Sequence, residues 1–185
     1  MLGVSGRWFM ERPSFDGSRA GREADCYRSN TDEPRPLGGY VGAMTAFGGM
    51  IAGFVTAGLV RKRAVPTRVT PWDVALTGVA VHKLARIITK DPVTSPLRAP
   101  FTTFAGPGGE AEVREQVREH GQARHAIGEL ITCPFCVAPW IGGGFVAGSV
   151  LAPKTTRLAA WTMASVAVSD FLQLGYAALQ KRIEE

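Results

Sequence analysis

The chain alternates between long runs without charge and segments that hold nearly all of its charge. Three apolar runs stand out, at residues 37–60, 130–152 and 158–180, and only the last contains a charged residue, Asp170. At about 1.5 Å per helical residue, each run is long enough to cross a hydrocarbon core of about 30 Å. The pattern therefore predicts three membrane-spanning helices.

A fourth segment, residues 71–90, has a mixed pattern. Pro71 suits the first turn of a helix. The basic side chains of the segment fall on one side of a helical wheel: His82, Lys83, Arg86 and Lys90. Such a helix either crosses the bilayer with its basic stripe turned toward other helices or lies in the interface plane. We expect it to cross, because its last three basic residues come late enough to reach toward one surface.

These segments predict an all-α protein, an integral membrane four-helix bundle with three strong spans and one amphipathic span. Its polar beginning has too little apolar surface to offset the cost of ordering, and we expect it to be a mobile tail. The charged connection is expected to hold an irregular loop and a short, charged helix. The predicted parts are a tail at 1–36, a first helix at 37–60, and a membrane domain at 71–182 with helices at about 71–90, 130–152 and 158–180 around the loop 91–129.

Glycines recur at a spacing of four within the apolar runs. In lipid, small residues at that spacing let two helix backbones approach closely. The spacing therefore predicts packing of this chain with itself or with other membrane proteins. The pairs are Gly38 and Gly42, Gly49 and Gly53, and Gly144 and Gly148.

The distribution of Lys and Arg predicts an orientation. With both termini in the cytoplasm, the tail, the 90–129 segment and the C-terminus would place thirteen basic residues inside, against six on the other side. The dense cluster at residues 61–63 favours the opposite orientation. We expect a multi-pass protein of the plasma membrane with both termini cytoplasmic.

Composition narrows the class of partner. The net charge is +5, but the basic residues cluster beside the apolar runs rather than among aromatic residues. We therefore expect a lipid bilayer as a partner and no nucleic acid. Three cysteines, Cys26, Cys133 and Cys136, are too few for a disulfide-based scaffold.

The motif Cys133-Pro-Phe-Cys136 opens the second long run and admits three interpretations. The two sulfurs are close enough to form a disulfide at a helix N-terminus. This arrangement is similar to that of the quinone-coupled disulfide oxidases. Those enzymes use a second cysteine pair, for which this sequence offers only Cys26. His120 and His125 with the two cysteines would supply a tetrahedral zinc site. Alternatively the cysteines are only small hydrophobic residues at a helix start, for which Pro134 is suited. We expect no cofactor and keep zinc as an alternative.

Several ionisable side chains fall within the predicted spans. An ionisable group at membrane depth is expected to have a partner, and Lys83 or Arg86 would serve for Asp170. The group forms either an ion or proton path or a buried pair that fixes helix register. These residues are Asp73, His82, Lys83, Arg86 and Asp170.

Two stretches, ARIITKDPVTSPLRAPFT at residues 85–102 and ITCPFCVAPWIGG at 131–143, resemble a bacterial family known as domain of unknown function 1360. Some members in spore formers are labelled sporulation proteins. The resemblance covers roughly residues 70–180 and implies a small integral membrane protein without naming an activity. The positions that match are Arg86, Asp91, Thr94, Pro96, Leu97, Arg98, Pro100, Phe101, Cys133, Cys136 and Trp140.

These observations predict a non-catalytic scaffold or assembly component. Its interaction surface would combine the membrane-proximal loop with the Cys-x-x-Cys motif, and Arg98 would reach phosphate headgroups or an acidic partner. A membrane thiol-disulfide oxidoreductase and a zinc-stabilised membrane module are the alternatives. The predicted surface residues are Arg86, Asp91, Thr94, Arg98, Phe101 and Trp140.

Overall fold

The structure is a computed structural model that describes residues 36–63, 68–118 and 121–184. The described residues form mainly α-helices, with one short 3-10 helix at Pro92–Thr94 and one antiparallel pair of strands. The predicted mobile tail lies outside the described residues. The elements are α1 (Leu37–Val60), α2 (Pro71–Lys90), α3 (Ser95–Arg98), β1 (Thr102–Pro107), β2 (Val113–Val117), α4 (Gln122–Thr132), α5 (Pro134–Leu151) and α6 (Pro153–Glu184).

Local sequence explains where the long helices begin. At the start of α2, the Thr70 hydroxyl accepts from the Asp73 N–H, and the Asp73 carboxylate accepts from the Thr70 N–H, so that Thr70 and Asp73 form a capping box. Prolines follow the caps of α2 and α5, where a missing N–H costs no hydrogen bond. The predicted start at Pro71 is confirmed.

Contacts along the helices give their directions. Near the start of α1, Tyr40 donates a hydrogen bond to Glu129, which lies in α4 shortly before α5 begins. Further along both α1 and α5, Phe47 packs against Trp140, so these two helices run parallel.

In α2 and α6, Lys83 pairs with Asp170 and His82 stacks on Phe171, and further along the two helices Lys90 and Ala177 line the same cleft. These two helices also run parallel. Only Ala152 separates α5 from α6, and these two helices pack against each other, so they run in opposite directions. The ends of α2 and α6 therefore lie on the same side as the starts of α1 and α5.

The interior between the helices is built from small side chains. Its buried apolar residues are almost all alanines, contributed by α2, α4, α5 and α6: Ala80, Ala85, Ala126, Val137, Ala147, Ala160, Ala164 and Ala167. Large apolar side chains instead point outward along the long helices, among them Met44, Leu59, Leu172 and Leu179. This distribution is the reverse of that in water-soluble domains, which rarely expose large contiguous apolar patches.

Within the described residues, two helices, α1 and α5, are long and apolar enough to cross a membrane. The helices α2 and α6 contain more charged and polar residues and do not meet the same condition. The structure therefore supports two candidate spans, fewer than the four predicted from the sequence.

The all-α prediction misses a β-hairpin. β1 and β2 pair in antiparallel register, with Phe104 opposite Glu115 and Gly106 opposite Arg114, so Ala105 forms a bulge. The segment predicted to be one charged helix is β2 followed by α4. The alternation of Val113, Glu115 and Val117 puts these three side chains on one face of the strand, as period-two patterning requires.

Helix boundaries also differ from the prediction. The run expected as one helix at 130–152 is divided at Cys133, whose extended backbone ends α4 and begins α5. The last helix is longer than the predicted 158–180 at both ends, because Pro153 suits a helix start and the charged C-terminal residues continue the helix. The helix predicted at 71–90 matches α2.

Candidate functional site

The segment after α2 folds into a cap, which we define as residues 91–118 and 121–132. At its centre lies Arg98, whose side chain is 1% exposed. Its Nε donates to Oε2 of Glu115 and its Nη2 to Oε1, both at 2.9 Å. Nη1 donates to the carbonyl of Ile88 at 2.6 Å and to the Thr94 hydroxyl at 2.5 Å. Arg98 therefore ties the end of α2 to the hairpin.

Glu115 is held from several directions. Its carboxylate also accepts from the hydroxyls of Ser95, at 3.0 Å, and Thr102, at 2.8 Å. Burial by itself raises the pKa of Glu115, but the hydrogen bonds from Arg98, Thr102 and Ser95 and the Arg98 charge outweigh it, so the pKa lies below its ordinary value. A carboxylate with these partners stays ionised at neutral pH.

The predicted interaction surface is only partly brought together. Arg98 is buried and fully engaged within the chain, so its predicted exposure to headgroups or an acidic partner is wrong. The Thr94 hydroxyl donates to the Ile87 carbonyl and accepts from Arg98. Asp91 begins the 3-10 helix by accepting from the Val93 N–H at 2.8 Å, a local bond of the kind that the sequence predicts.

The remaining predicted surface residues divide between the cap and the bundle. The Phe101 carbonyl accepts from the Arg118 N–H at 2.9 Å, which extends the hairpin ladder. Trp140 packs edge-on against Phe47, with ring centroids 5.1 Å apart, and so joins α5 to α1. Arg86 remains exposed and faces a cleft.

That cleft, of about 810 Å³, lies between α2, α6 and the hairpin tip. The basic stripe predicted from the sequence forms its α2 wall, with His82, Lys83, Arg86 and Lys90. The α6 wall is mainly apolar and includes Phe171 and Leu174, and the tip contributes residues 109–112. The cleft therefore combines one charged wall with one apolar wall.

Ion pairs cross the cleft at two levels. Lys83 Nζ lies 2.5 Å from Asp170 Oδ2, so the prediction that Asp170 has Lys83 or Arg86 as partner is confirmed for Lys83. Arg86 pairs instead with Glu112 at the hairpin tip. His82 stacks on Phe171, with ring centroids 6.4 Å apart. The charges on α2 are thus largely matched within the chain.

The cysteine motif forms the junction of α4 and α5. Cys133 is the N-cap of α5, and its sulfur accepts from the Cys136 N–H at 3.3 Å. Both residues are thiols in this structure, and Cys136 is exposed. The arrangement can begin a helix without further chemistry, and it also leaves two thiols three residues apart for reversible oxidation.

The proposed zinc ligands do not converge in the described part of the chain. His120 lies outside the described residues, and His125 is 3.5 Å from the Glu129 carboxylate. Within residues 36–63, 68–118 and 121–184, no three His, Cys, Asp or Glu side chains are close enough to hold a metal ion.

Sequence reasoning missed Glu112 and Glu115, which join the hairpin to the helices. The alternation V-R-E-Q-V at residues 113–117 after A-G-P-G-G at 105–109 is a hairpin pattern and would have located both carboxylates. A helical interpretation of the same residues instead spreads these side chains around an axis.

Residues 76–176, more than half of the chain, match the sequence model of a family described as "Protein of unknown function (DUF1360)". The chain is also similar to the protein named sporulation protein YjcA of Bacillus subtilis (strain 168), with 25% identity over 115 residues. That alignment covers 60% of this chain and 94% of the relative. No solved structure matches.

Proposed function

Since this chain belongs to the DUF1360 family of unknown function, we propose, from its own residues, that it is a small integral membrane protein that serves as a non-catalytic scaffold. In this proposal α1, α2, α5 and α6 cross the plasma membrane. The cap and both termini lie on the cytoplasmic face, and the cap presents an interaction surface to another protein. The observation that carries the proposal is the small-residue interior beneath an exterior of large apolar side chains.

Lipid accounts for that distribution. Helices in a bilayer gain little from burying large apolar side chains against each other, because lipid tails are equally apolar, and they pack through small residues. Two of the glycines, Gly39 and Gly148, support this, whereas nothing in the described chain lies within 4 Å of a Cβ at Gly42, Gly49, Gly53 or Gly144. A Cβ on Gly39 would lie 2.6 Å from that of Ala126, and a Cβ on Gly148 would lie 2.5 Å from the Thr156 hydroxyl. Close helix packing therefore depends on small residues both in the alanine core and at these glycines.

The polar groups in α6 fit the same arrangement. Asp170 is its only charged residue between Arg157 and Lys181, and at about 1.5 Å per residue it lies about 20 Å and about 17 Å from them. Lys83 neutralises it at that depth. Exposed aromatic residues flank the span, with Trp161 beneath Arg157 at one end and Tyr176 near the other, as aromatic belts do at membrane interfaces.

The cap supports the scaffold part of the proposal. The Arg98 hydrogen bonds fix its shape, while Val93, Leu97 and Phe104 are 85%, 71% and 72% exposed. Rigid apolar side chains beside a polar segment are suited to binding a partner protein at low entropic cost. The cap uses its most buried charged group, Arg98, internally, which favours a structural role over catalysis.

Site-specific photo-crosslinking in the expressing cells tests this role. A photoreactive residue at Val93 or Phe104 is expected to give a discrete protein adduct, and one at Leu172 on the lipid-facing side of α6 gives none. Adducts at neither cap position would contradict the scaffold proposal.

A thiol-disulfide oxidoreductase is the second candidate, favoured by the two thiols at the start of α5. Thiol trapping separates the two proposals. A reversible Cys133–Cys136 disulfide that forms as quinone is reduced would replace the scaffold with a redox function. Cysteines that stay reduced under the same conditions would remove that candidate.

A further inference from the structure

The cleft between α2 and α6 matches the two-part chemistry of a membrane lipid. Its apolar α6 wall includes Phe171 and Leu174, and its α2 wall carries Arg86 and Lys90 at the end beside the cap. We propose that the cleft binds one anionic phospholipid. The phosphate headgroup contacts Arg86 and Lys90, and an acyl chain lies along Phe171 and Leu174. This inference rests on the membrane embedding proposed above, because the ligand enters from the bilayer.

Four carboxylates line the cleft beside the basic residues of α2, and of those basic residues Lys90 is the one placed to meet a headgroup. Lys83 is committed to Asp170, and the Asp91 carboxylate is directed to the Val93 N–H. Lys90 is half-buried and has no ion-pair partner in the part of the chain that the structure describes. A lysine at the end of a membrane helix extends its ammonium to the level of lipid phosphates.

The hairpin tip competes with the headgroup. Glu112 pairs with Arg86, so the tip places a carboxylate on one of the two cations that the phosphate would bind. The Arg86 and Glu112 side chains are 44% and 22% exposed, and an ion pair that solvent reaches contributes only modestly to stability. An incoming phosphate can therefore displace Glu112.

The dimensions suit part of a lipid. His82 and Lys90 are eight residues apart on α2, which is about 12 Å along the helix and the length of a partial acyl chain. Phe171 and Leu174 are partly exposed, so the cleft is open at its side and the rest of the lipid extends into the bilayer.

The test uses the full chain in mild detergent and native mass spectrometry with added phosphatidylglycerol or phosphatidylcholine. We expect one phosphatidylglycerol to bind more tightly than phosphatidylcholine.

The Lys90→Ala and Arg86→Ala variants are expected to bind phosphatidylglycerol about fivefold more weakly, which is the effect of one basic contact at a membrane surface. Glu112→Gln removes the competitor and strengthens binding. Lys154→Ala, a basic residue at the start of α6 and outside the cleft, leaves it unchanged.

The opposite results overturn the proposal. Equal affinity for the two lipids, or weaker binding in Glu112→Gln, removes the headgroup assignment. If Lys154→Ala lowers the affinity for phosphatidylglycerol as much as Lys90→Ala does, the lipid binds through nonspecific attraction to the positive charge of the protein. Displacement of phosphatidylglycerol by inorganic phosphate shows that the site binds free anions instead of lipid. If Lys90→Ala misfolds, the change in phosphatidylglycerol affinity in Glu112→Gln still tests the headgroup assignment, because that variant keeps both basic residues of the site. Alkaline carbonate extraction of the same cells reports membrane embedding separately, so the two proposals fail independently.

Discussion

Arg98 and Glu115 form a buried bidentate pair, with both N–O distances 2.9 Å and side chains 1% and 6% exposed. The pair joins the end of α3 to the middle of β2 and organises the cap. Because a buried charge without its partner is strongly unfavourable, Glu115→Ala is expected to lower the free energy of unfolding by about 3–5 kcal/mol. Denaturant unfolding of the detergent-solubilised protein measures this change.

The matched control is Arg114→Ala. Arg114 is a neighbouring charged residue on the exposed face of β2. We expect its removal to change stability by less than about 0.5 kcal/mol. A similar fall in the free energy of unfolding in the two variants would show that the buried Arg98–Glu115 pair stabilises the protein no more than an exposed charge does.

Stability should also depend on pH through Glu115. Its pKa is lower in the folded protein than in the unfolded chain, so its stabilising effect is complete above the unfolded pKa of about 4.5. The effect is lost as pH falls through the folded pKa. Melting temperatures measured from pH 7 to pH 3 are expected to drop in this acidic window. A Glu115→Gln variant, which cannot ionise, should show a smaller drop; an identical drop would assign the dependence to other carboxylates.

Lys83 and Asp170 pair at the middle of α2 and α6. Asp170→Asn leaves the Lys83 ammonium without its partner, and stability should fall by about 1–2 kcal/mol, less than for the cap because Asp170 is 42% exposed. Replacing both residues by leucine should recover stability. A double variant less stable than Asp170→Asn would contradict the view that the pair serves packing.

Gly39 brings α1 against α4. A Cβ at this position would meet Ala126 at 2.6 Å and also the Gln122 carbonyl, so Gly39→Ala is expected to cost about 1–3 kcal/mol. Gly42→Ala is the control, since nothing lies within 4 Å of a Cβ there, and alanine in a helix is neutral or stabilising. Thermal melts of the two variants in one detergent compare them directly.

The pattern of apolar and charged residues along the chain predicted much of this structure. It located the helices now called α1, α2 and α6 and the basic stripe on α2, because helix length and periodicity are local properties. It also predicted a basic partner for Asp170, because a charge within an apolar run is expected to be paired. It missed the hairpin, since V-R-E-Q-V is short and charged enough to fit either structure. It also misplaced Arg98: residue type suggests exposure, while burial depends on Glu115, which is distant in sequence and became a neighbour only through the hairpin register.

The central claim, that four helices cross a bilayer, is tested most directly by labelling single cysteines from each side of the membrane. In a variant without Cys26, Cys133 and Cys136, cysteines replace Lys62, Ala111, Lys154 or Lys181 one at a time. We predict that an impermeant maleimide labels positions 62 and 154 in intact cells. Positions 111 and 181 should react only after permeabilisation. Labelling of all four positions from the same side would contradict the four-span arrangement.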